Sequence, residues 1–511
     1  MHDVQSDRPH PRAARGSVRP SERALAPDLA RGAMLLMIVM SNTAFHLWAA
    51  RHGPTGWHPV DGSTADRIVQ FAMIVGLDGR AYPVFAFLFG YGMMQLFRRQ
   101  VAAGATPRAA TALLRRRSLW LLLIGFGHAA LLLAGDIIGF YAVVSLLLGW
   151  LFLRRSGRTL LVAAAVSVLL RLLVAAPALS ALLSGDLAAA GTPVTEPSAL
   201  AFAAGEDNPL VAAGTRLTTW AIITGYGAVG WLLATELLLG FWAARRRVLE
   251  DPAAHRRLLR WTALLGVPVG WLGGLPLALA HVGWLDVPPA ALGTDGALSS
   301  LAQLTGVPGG LGYVALFGLL AARVPVRRSR AAVGGDGRPD GVAGDPRQPH
   351  AAAVDDLDRR PGAASDGPNR QSGTAGGPEP RRAAAALAAV VAAIAAVGKR
   401  SLSCYLGHSL LFAPVLAAWG LGLGGRLGSA TMAAFALGVW LLTVVGANLL
   451  ERYDHPGPAE ALLRRLVYGP RTTAGARHAD GAPAPAQRTA GTASGCADGV
   501  TGAGSSSTPP R

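Results

Sequence analysis

The 511-residue chain is poor in cysteine, lysine and charge. Its two cysteines, Cys404 in an apolar segment and Cys496 in a polar one, exclude a disulfide framework and leave the redox compartment open. Charged residues make up 15% of the chain and hydrophobic residues 51%, a balance too apolar for an ordinary soluble enzyme of this size. The apolar residues come in long blocks, which predicts a polytopic membrane protein.

The positive charge is unevenly distributed. Lys399 is the single lysine among 47 basic residues, a bias that a GC-rich genome explains better than function does. The net charge of +17 is not accompanied by any nucleic-acid recognition motif, so we expect no nucleic-acid partner. The sequence also lacks a phosphate-cradling loop of the Walker type and paired histidines or cysteines at ligand spacing. We therefore predict no metal site and no tightly bound cofactor.

About ten apolar segments have roughly the length that a bilayer requires. The first is long and lacks a small-residue cleavage site, so we expect it to remain as an anchor. The predicted spans are Leu29–Ala49, Arg80–Phe97, Leu119–Gly135, Ile137–Leu153, Leu160–Leu183, Leu217–Trp242, Trp261–His281, Leu298–Arg323, Ser401–Leu421 and Ala430–Leu450.

Arginine-rich and arginine-poor loops alternate between these spans. Every second loop is basic, which is the pattern of ten spans with both termini in the cytoplasm under the positive-inside rule. The stretch from Ile124 to Val144 keeps this alternation only if it is two helices that turn at Gly135–Asp136. We therefore place Asp136 at an extracytoplasmic corner, with His128 about 12 Å deeper along its helix.

Five regions follow from composition. The predicted architecture is an all-α polytopic bundle with disordered termini and a disordered cytoplasmic linker, because the three polar regions are rich in Gly, Pro, Ala and Arg and lack apolar periodicity. The regions are a basic tail at 1–23, an N-terminal membrane block of about eight helices at 24–324, the linker at 325–381, a C-terminal membrane block of about two helices at 382–470, and a tail at 471–511.

Polar residues inside the predicted spans need a structural or functional explanation, since a charge in the hydrocarbon core has a high free energy. In the first span, Asp28, Arg31, Asn42 and His46 share one predicted helical stripe. Asp28 and Arg31 are either functional or an ion pair at the headgroup level, and Asn42 is either functional or an interhelical hydrogen-bonding group.

A second polar stripe follows Lys399. Arg400, Cys404 and His408 stand at four-residue spacing among small residues suited to close helix contact. For His128 and His408 the alternative to a functional role is a neutral histidine bonded to a backbone carbonyl. Glu236 is a lone acid in the sixth span, for which Arg245 is one candidate partner and proton exchange another use.

Five motifs together resemble a known family. DLARG with SN (Asp28 to Asn42), FAFLFGYGM, GFGHAALLLAGDIIGFYA, GKRSLSCYLGHS and HPGPAEALLRRLVYGP occur in the order and spacing seen in the YeiB-like bacterial membrane proteins, whose domain of unknown function is numbered 418. The resemblance spans nearly the whole membrane core. The family is in turn distantly similar to transmembrane acyltransferases, whose first helix carries a comparable Asp-x-x-Arg-Gly entry and in which a membrane histidine does the chemistry.

This resemblance implies transfer of an acyl group from an acyl-CoA-type donor to a glycan or lipid acceptor of the bacterial cell envelope. The implied general base is His46 or His128, oriented by Asp136. The candidate substrate-binding residues are Asp28, Arg31, Asn42, Arg400 and His408, of which Arg31 offers a cation to a phosphorylated carrier.

Two other functions remain open. The protein is alternatively a transporter that uses buried His, Asp and Glu residues, or a noncatalytic scaffold whose linker recruits partners. In each case we predict that the chain lies in the cytoplasmic (inner) membrane with the lipid bilayer as a partner. The oligomeric state is not predicted.

Overall fold

The computed structural model describes residues 24–192, 198–230, 234–324 and 378–469. In these ranges the chain forms α-helices and short 3₁₀ turns and no β-strand, so the all-α prediction is confirmed. The predicted tails and nearly all of the predicted linker lie outside the described residues. The helices are α1 Leu25–Ser41, α2 Thr64–Gly76, α3 Ala81–Ala102, α4 Pro107–Leu131, α5 Ile137–Phe152, α6 Gly157–Val174, α7 Ala176–Ser184, α8 Ser198–Ala201, α9 Pro209–Gly230, α10 Thr235–Arg245, α11 Arg256–His281, α12 Ala297–Arg323, α13 Pro378–Lys399, α14 Ser401–Leu416, α15 Ser429–Arg452 and α16 Pro458–Tyr468.

Several of these helices are suited to a bilayer. Four, namely α6, α11, α12 and α15, are long and apolar enough to cross a membrane, and two bent pairs, α2 with α3 and α13 with α14, raise the number to six. These helices make the chain a membrane protein by length and composition. The count of ten spans stays a prediction.

The turn predicted at Gly135–Asp136 is present. Helix α4 ends at Leu131 and α5 begins at Ile137, and the two helices pack against each other as a hairpin. Local sequence explains both starts: the Thr106 hydroxyl accepts a hydrogen bond from the amide of Ala109 ahead of α4, and Asp136 caps α5.

The first predicted span is shorter as a helix than expected. Helix α1 ends at Ser41, and Asn42–His46 forms a 3₁₀ turn, so the single helical stripe from Asp28 to His46 is wrong. The Thr43 hydroxyl donates to the carbonyl of Met40 at 2.6 Å, and such side-chain bonds compete with the helical ladder. The polar run Ser41–Thr43 therefore ends the helix.

Two other predicted spans are interrupted. Leu160–Leu183 divides into α6 and α7 at Ala175, and Leu217–Trp242 divides into α9 and α10. Helix α9 packs on α4 and α5, whereas α10 packs on α3 and α6. The sixth predicted span is therefore not one continuous helix.

The region after the linker is a helix with a sharp bend. Helix α13 begins at Pro378, inside the predicted linker, and its Ala384–Lys399 part meets α14 at 83°. Glycines bring α13 close to α1, since a Cβ on Gly398 would collide with the backbone of Asp28 and one on Gly32 with the backbone of Ile394. This contact fixes the start of α14 beside the polar end of α1.

Three arginine-rich segments meet at one end of the bundle. At the end of α3, Arg98 donates to the carbonyl of Ala244 in α10, and Arg245 donates to the carbonyl of Leu153 after α5 at 2.9 Å. The end of α3, the end of α5 and the end of α10 therefore lie together, on the side opposite the Asp136 turn.

Candidate functional site

A buried histidine and aspartate occupy the α4–α5 turn. His128 Nδ1 lies 2.9 Å from Asp136 Oδ1, and both side chains are at most 1% exposed. The separation is that of an ion pair, and neither ring nitrogen of His128 makes a hydrogen bond with a described residue. A carboxylate at Nδ1 favours the proton on that nitrogen and leaves Nε2 as an acceptor.

Asp136 also stabilises the start of α5. Its Oδ2 accepts a hydrogen bond from the amide of Gly139 at 2.6 Å and its Oδ1 one from the amide of Ile138 at 3.3 Å. Gly125 makes the close approach of the two helices feasible, because a Cβ there would collide with Asp136 Oδ2 and Gly139. Gly125 thus shapes the turn that holds the pair.

Tyr405 of α14 covers the histidine. Its ring centroid lies 5.1 Å from that of His128, and its hydroxyl lies 3.4 Å from the amide nitrogen of Ile137, which donates to it. Tyr405 also lines two separate cavities.

The larger of these, which we call the cation-lined cavity, has a volume of about 350 Å³. It runs from Arg99 and Tyr468, at the arginine-rich end of the bundle, to Ile138 and Tyr405 beside the turn. Helices α1, α3, α4, α5, α13, α14 and α16 contribute its walls. The basic residues that line it are Arg31, Arg99, Arg117 and Lys399, the acidic ones are Asp28 and Glu460, and the apolar ones include Met34, Leu35, Phe85, Leu88 and Phe89.

One of the arginines that line this cavity has a carboxylate partner in the cavity wall, and another does not. Arg31 pairs with Asp28 at 3.0 Å. Arg117 lies over the ring of Phe89, with 5.9 Å between the guanidinium carbon and the ring centroid, and makes no hydrogen bond or ion pair with a described residue. A guanidinium in such a place favours an anionic ligand.

Glu460 joins α16 to the cavity. Its Oε1 accepts from the amides of Leu402 at 2.8 Å and Ser403 at 3.2 Å, the first amides of α14, and its Oε2 accepts from the Ser403 hydroxyl. The negative charge therefore sits at a helix N-terminus, where the helix dipole stabilises it.

The second cavity on Tyr405 is small. It has a volume of about 10 Å³, room for about one water molecule, and it is lined by Asn42, His46 and His408 among apolar side chains. His46 Nδ1 is buried without a hydrogen-bond partner among the described residues, whereas His408 Nε2 lies 3.1 Å from the hydroxyl of Thr443. Of the three predicted catalytic residues, His46 alone lines one of these two cavities, and His128 and Asp136 line neither.

Two predicted contacts differ in the structure. Arg400 lies away from both cavities, where it donates to Glu451 Oε2 at 2.7 Å and to the carbonyl of His455 at 2.7 Å. Glu236 pairs with Arg171 of α6 at 3.0 Å rather than with Arg245. The sequence offers no signal for this pair, since its two members are 65 residues apart on different helices.

Two histidines of the loop between α1 and α2 are less exposed than their loop position suggests. His58 is buried rather than exposed, and its Nε2 lies 2.6 Å from Asp78 Oδ2, while Ser41 donates to Asp78 Oδ1 at 2.8 Å. His52 is half-buried, and this burial lowers its pKa below the ordinary value. In the described ranges no cluster of three or more His, Cys, Asp or Glu side chains has the arrangement of a metal site.

Tyr405, Arg117 and Glu460 are site residues that the sequence analysis misses. Tyr405 looks like an apolar core residue, and Arg117 falls in an arginine-rich segment that topology alone explains. Glu460 lies in a short amphipathic stretch beyond the last predicted span. Only the HPGPAEALLRRLVYGP motif, which contains Glu460, marks that stretch as more than a tail.

The class of protein is thus an α-helical membrane protein with a cavity inside its bundle. Residues 243–338 and 382–470 match the model of a family described as Protein of unknown function (DUF418), which confirms the resemblance to the YeiB-like proteins. The match covers less than half of the chain and begins at the end of α10, well before the predicted C-terminal block; the motifs of α1 and α3 to α5 lie outside it. No curated protein and no solved structure matches the chain significantly.

Proposed function

We propose that this protein is a membrane acyltransferase-like enzyme that moves an acyl group from a phosphorylated, acyl-CoA-type donor to a glycan or lipid acceptor of the cell envelope. The observation that carries the proposal is the cation-lined cavity, which joins an uncompensated arginine at one end to the wall of a buried His–Asp pair at the other. The proposed topology has ten spans in the cytoplasmic membrane with both termini in the cytoplasm.

The orientation is supported by the ends of the helices. The arginine-rich segments at the ends of α3, α5 and α10 lie together, as the contacts of Arg98 and Arg245 show. Under the positive-inside rule this end faces the cytoplasm. The cation-lined cavity then receives its donor from the cytoplasm, where phosphorylated carriers are available.

Cysteine labelling tests this orientation. In a background with Cys404 and Cys496 replaced by serine, we expect an impermeant maleimide added to intact cells to label Asp207→Cys, in the exposed segment before α9, and to leave Ala105→Cys unlabelled. The opposite pattern would reverse the donor entrance.

The shape of the cavity suits a donor with an anionic head and an apolar chain. Its volume of about 350 Å³ lies in the range of small-molecule sites. Arg31 and Arg117 attract phosphate oxygens, while Leu88 and Phe89 offer apolar surface to an acyl chain. Eleven residues of α4 separate Arg117 from His128, so about 16 Å separates the anion-binding end from the histidine along the helix axis.

The chemistry follows from the His–Asp pair. Asp136 holds the imidazole of His128 with Nε2 free to accept a proton. In the proposed reaction Nε2 takes the proton of the acceptor hydroxyl, the oxygen attacks the thioester carbonyl, and the carbon–sulfur bond breaks as the thiolate leaves. The proton on His128 then passes to the thiolate. In the proposed reaction, rotation of the Tyr405 ring brings the reacting groups together. His46, which lines the small cavity that Tyr405 also lines, is the second candidate base.

Release of coenzyme A from acetyl-CoA, measured in membranes that contain the full chain, tests the proposal. We expect His128→Gln to lower the rate by a factor on the order of 10² or more, the usual contribution of a general base. His255→Gln, in the loop before α11, is the matched control and should leave the rate unchanged. If His128→Gln and His46→Gln both keep full activity, the mechanism fails.

A transporter and a scaffold would each behave differently from the proposed enzyme in the same membranes. A transporter would accumulate substrate in vesicles without releasing coenzyme A. Its transport rate would depend on Glu236, which forms an ion pair with Arg171. A scaffold would lose its function when residues 325–381 are deleted, whereas the proposed enzyme should keep coenzyme A release.

A further inference from the structure

A second large opening lies between α4 and α5, which we call the arginine-rimmed cleft. It has a volume of about 260 Å³ and is formed by the first turns of α4 and the last turns of α5. Its rim carries Arg108, Arg115 and Arg154, at the same end of the bundle as the other arginine-rich segments. The proposed acyl transfer makes no use of this cleft.

The three rim arginines have no counter-ion among the residues that the structure describes. All three are exposed, and none makes a hydrogen bond or ion pair with a described residue. Their neighbour Arg155, by contrast, donates to the carbonyl of Leu151. Three positive charges therefore converge on one cleft without an acidic residue among the side chains that line it.

Below the rim the cleft is apolar. Leu114 and Leu146 form its sides, and the indole of Trp150 stands at its edge with 70% of its surface exposed. An exposed tryptophan next to arginines is typical of the membrane–water interface. A ligand that satisfies both parts carries a negative head and an apolar chain.

We infer that the arginine-rimmed cleft binds an anionic phospholipid of the leaflet at this end of the bundle. The phosphate lies among the guanidinium groups of Arg108, Arg115 and Arg154, and one acyl chain follows Leu146 and Trp150. Basic pockets between transmembrane helices recognise anionic head groups through this combination. The cleft is independent of the cation-lined cavity in its charges, but Met93 lines both. A bound lipid therefore contacts the wall of the cavity proposed to hold the donor.

Binding of short-chain phosphatidylglycerol to the purified full chain in a neutral detergent tests the inference. Each arginine near an anionic surface contributes about 1 kcal/mol, or about fivefold in affinity. The triple variant Arg108→Gln, Arg115→Gln, Arg154→Gln should therefore bind phosphatidylglycerol about 100-fold more weakly. Phosphatidylcholine should bind weakly to both proteins.

A matched control separates the cleft from general attraction to positive charge. The triple variant Arg256→Gln, Arg257→Gln, Arg260→Gln removes three exposed arginines from the start of α11 and should keep the affinity within about threefold. An equal loss in the two triple variants would overturn the inference, because the lipid would then sense net charge alone.

The apolar half of the cleft needs its own test. Ala112 is exposed and lines the cleft, so Ala112→Phe fills it without a change of charge or a clash in the bundle core. We expect this variant to bind phosphatidylglycerol at least tenfold more weakly. Unchanged binding, or displacement of the lipid by equimolar inorganic phosphate, would mean a site for a soluble anion and would overturn the lipid assignment.

Discussion

Replacing Asp136 by asparagine and by alanine separates the two contributions of its carboxylate. The side chain caps α5 through the amides of Ile138 and Gly139, and it also places a negative charge beside Nδ1 of His128. Asparagine keeps a carbonyl oxygen for the cap but has no charge. Alanine keeps neither.

The expected losses of stability follow from the burial of the Asp136 side chain. Asp136 is 1% exposed, so water does not replace its hydrogen bonds when the side chain is removed. Loss of a helix N-cap costs about 0.5–2 kcal/mol, and a buried amide left without a partner costs about 1–3 kcal/mol. We expect Asp136→Ala to lower the free energy of unfolding by roughly 2 kcal/mol, and Asp136→Asn by less than about 0.5 kcal/mol.

The effect on activity should not follow the effect on stability. The asparagine amide can donate to Nδ1 of His128, which moves the proton to Nε2 and removes the base. In a serine protease triad the equivalent change lowers the rate by about 10⁴ at nearly constant geometry. Asp136→Asn should therefore lower coenzyme A release by a factor on the order of 10³ while the fold remains intact.

Unfolding in mixed micelles and coenzyme A release in membranes measure the two quantities on the same preparations. The reasoning is refuted if Asp136→Asn retains the activity of the parent protein. It is also refuted if Asp136→Ala unfolds at the same denaturant concentration as the parent, since the cap would then carry no stability.

Three further changes probe other contacts. Glu236→Gln leaves Arg171 without its buried counter-ion and should cost roughly 3 kcal/mol in the free energy of unfolding, as measured in the same micelles; a loss below about 1 kcal/mol would mean that the pair contributes little. Gly398→Val puts a side chain into the backbone of α1 and should abolish the folded yield in size-exclusion chromatography, whereas Gly438→Val, with open space around it, should not change the yield. Glu460→Ala uncaps α14 and should speed proteolytic removal of α16 severalfold, and equal cleavage rates would show that Glu460 does not hold α16 in place.

Local patterns in the sequence predicted the α4–α5 turn. The arginines at 117 and 154 require both helix ends on one side, and an aspartate before an apolar run is an N-cap signal. The N-cap signal depends on a few neighbouring residues and the orientation depends on the charge of the loops, so both can be recognised in a single sequence. The same reasoning placed Asp136 at this turn but put His128 about 12 Å deeper along its helix, whereas the structure brings the two side chains to within 2.9 Å.

Contacts between distant helices were beyond that reasoning. The pairing of Glu236 with Arg171 depends on which helices α10 packs against. The spacing of residues along the chain does not predict that packing. The end of α1 at Ser41 depends partly on Asp78, which accepts from the Ser41 hydroxyl 37 residues away in sequence. The cation-lined cavity likewise exists only because seven helices surround it.

The position of Tyr405 has a consequence for the coupling of the two cavities. Its side chain is the one lining residue that the two cavities share, so a movement of the ring changes the shape of both. Under the function proposed above, a donor that fills the larger cavity would therefore act on the surroundings of His46 and His408 through a single aromatic ring.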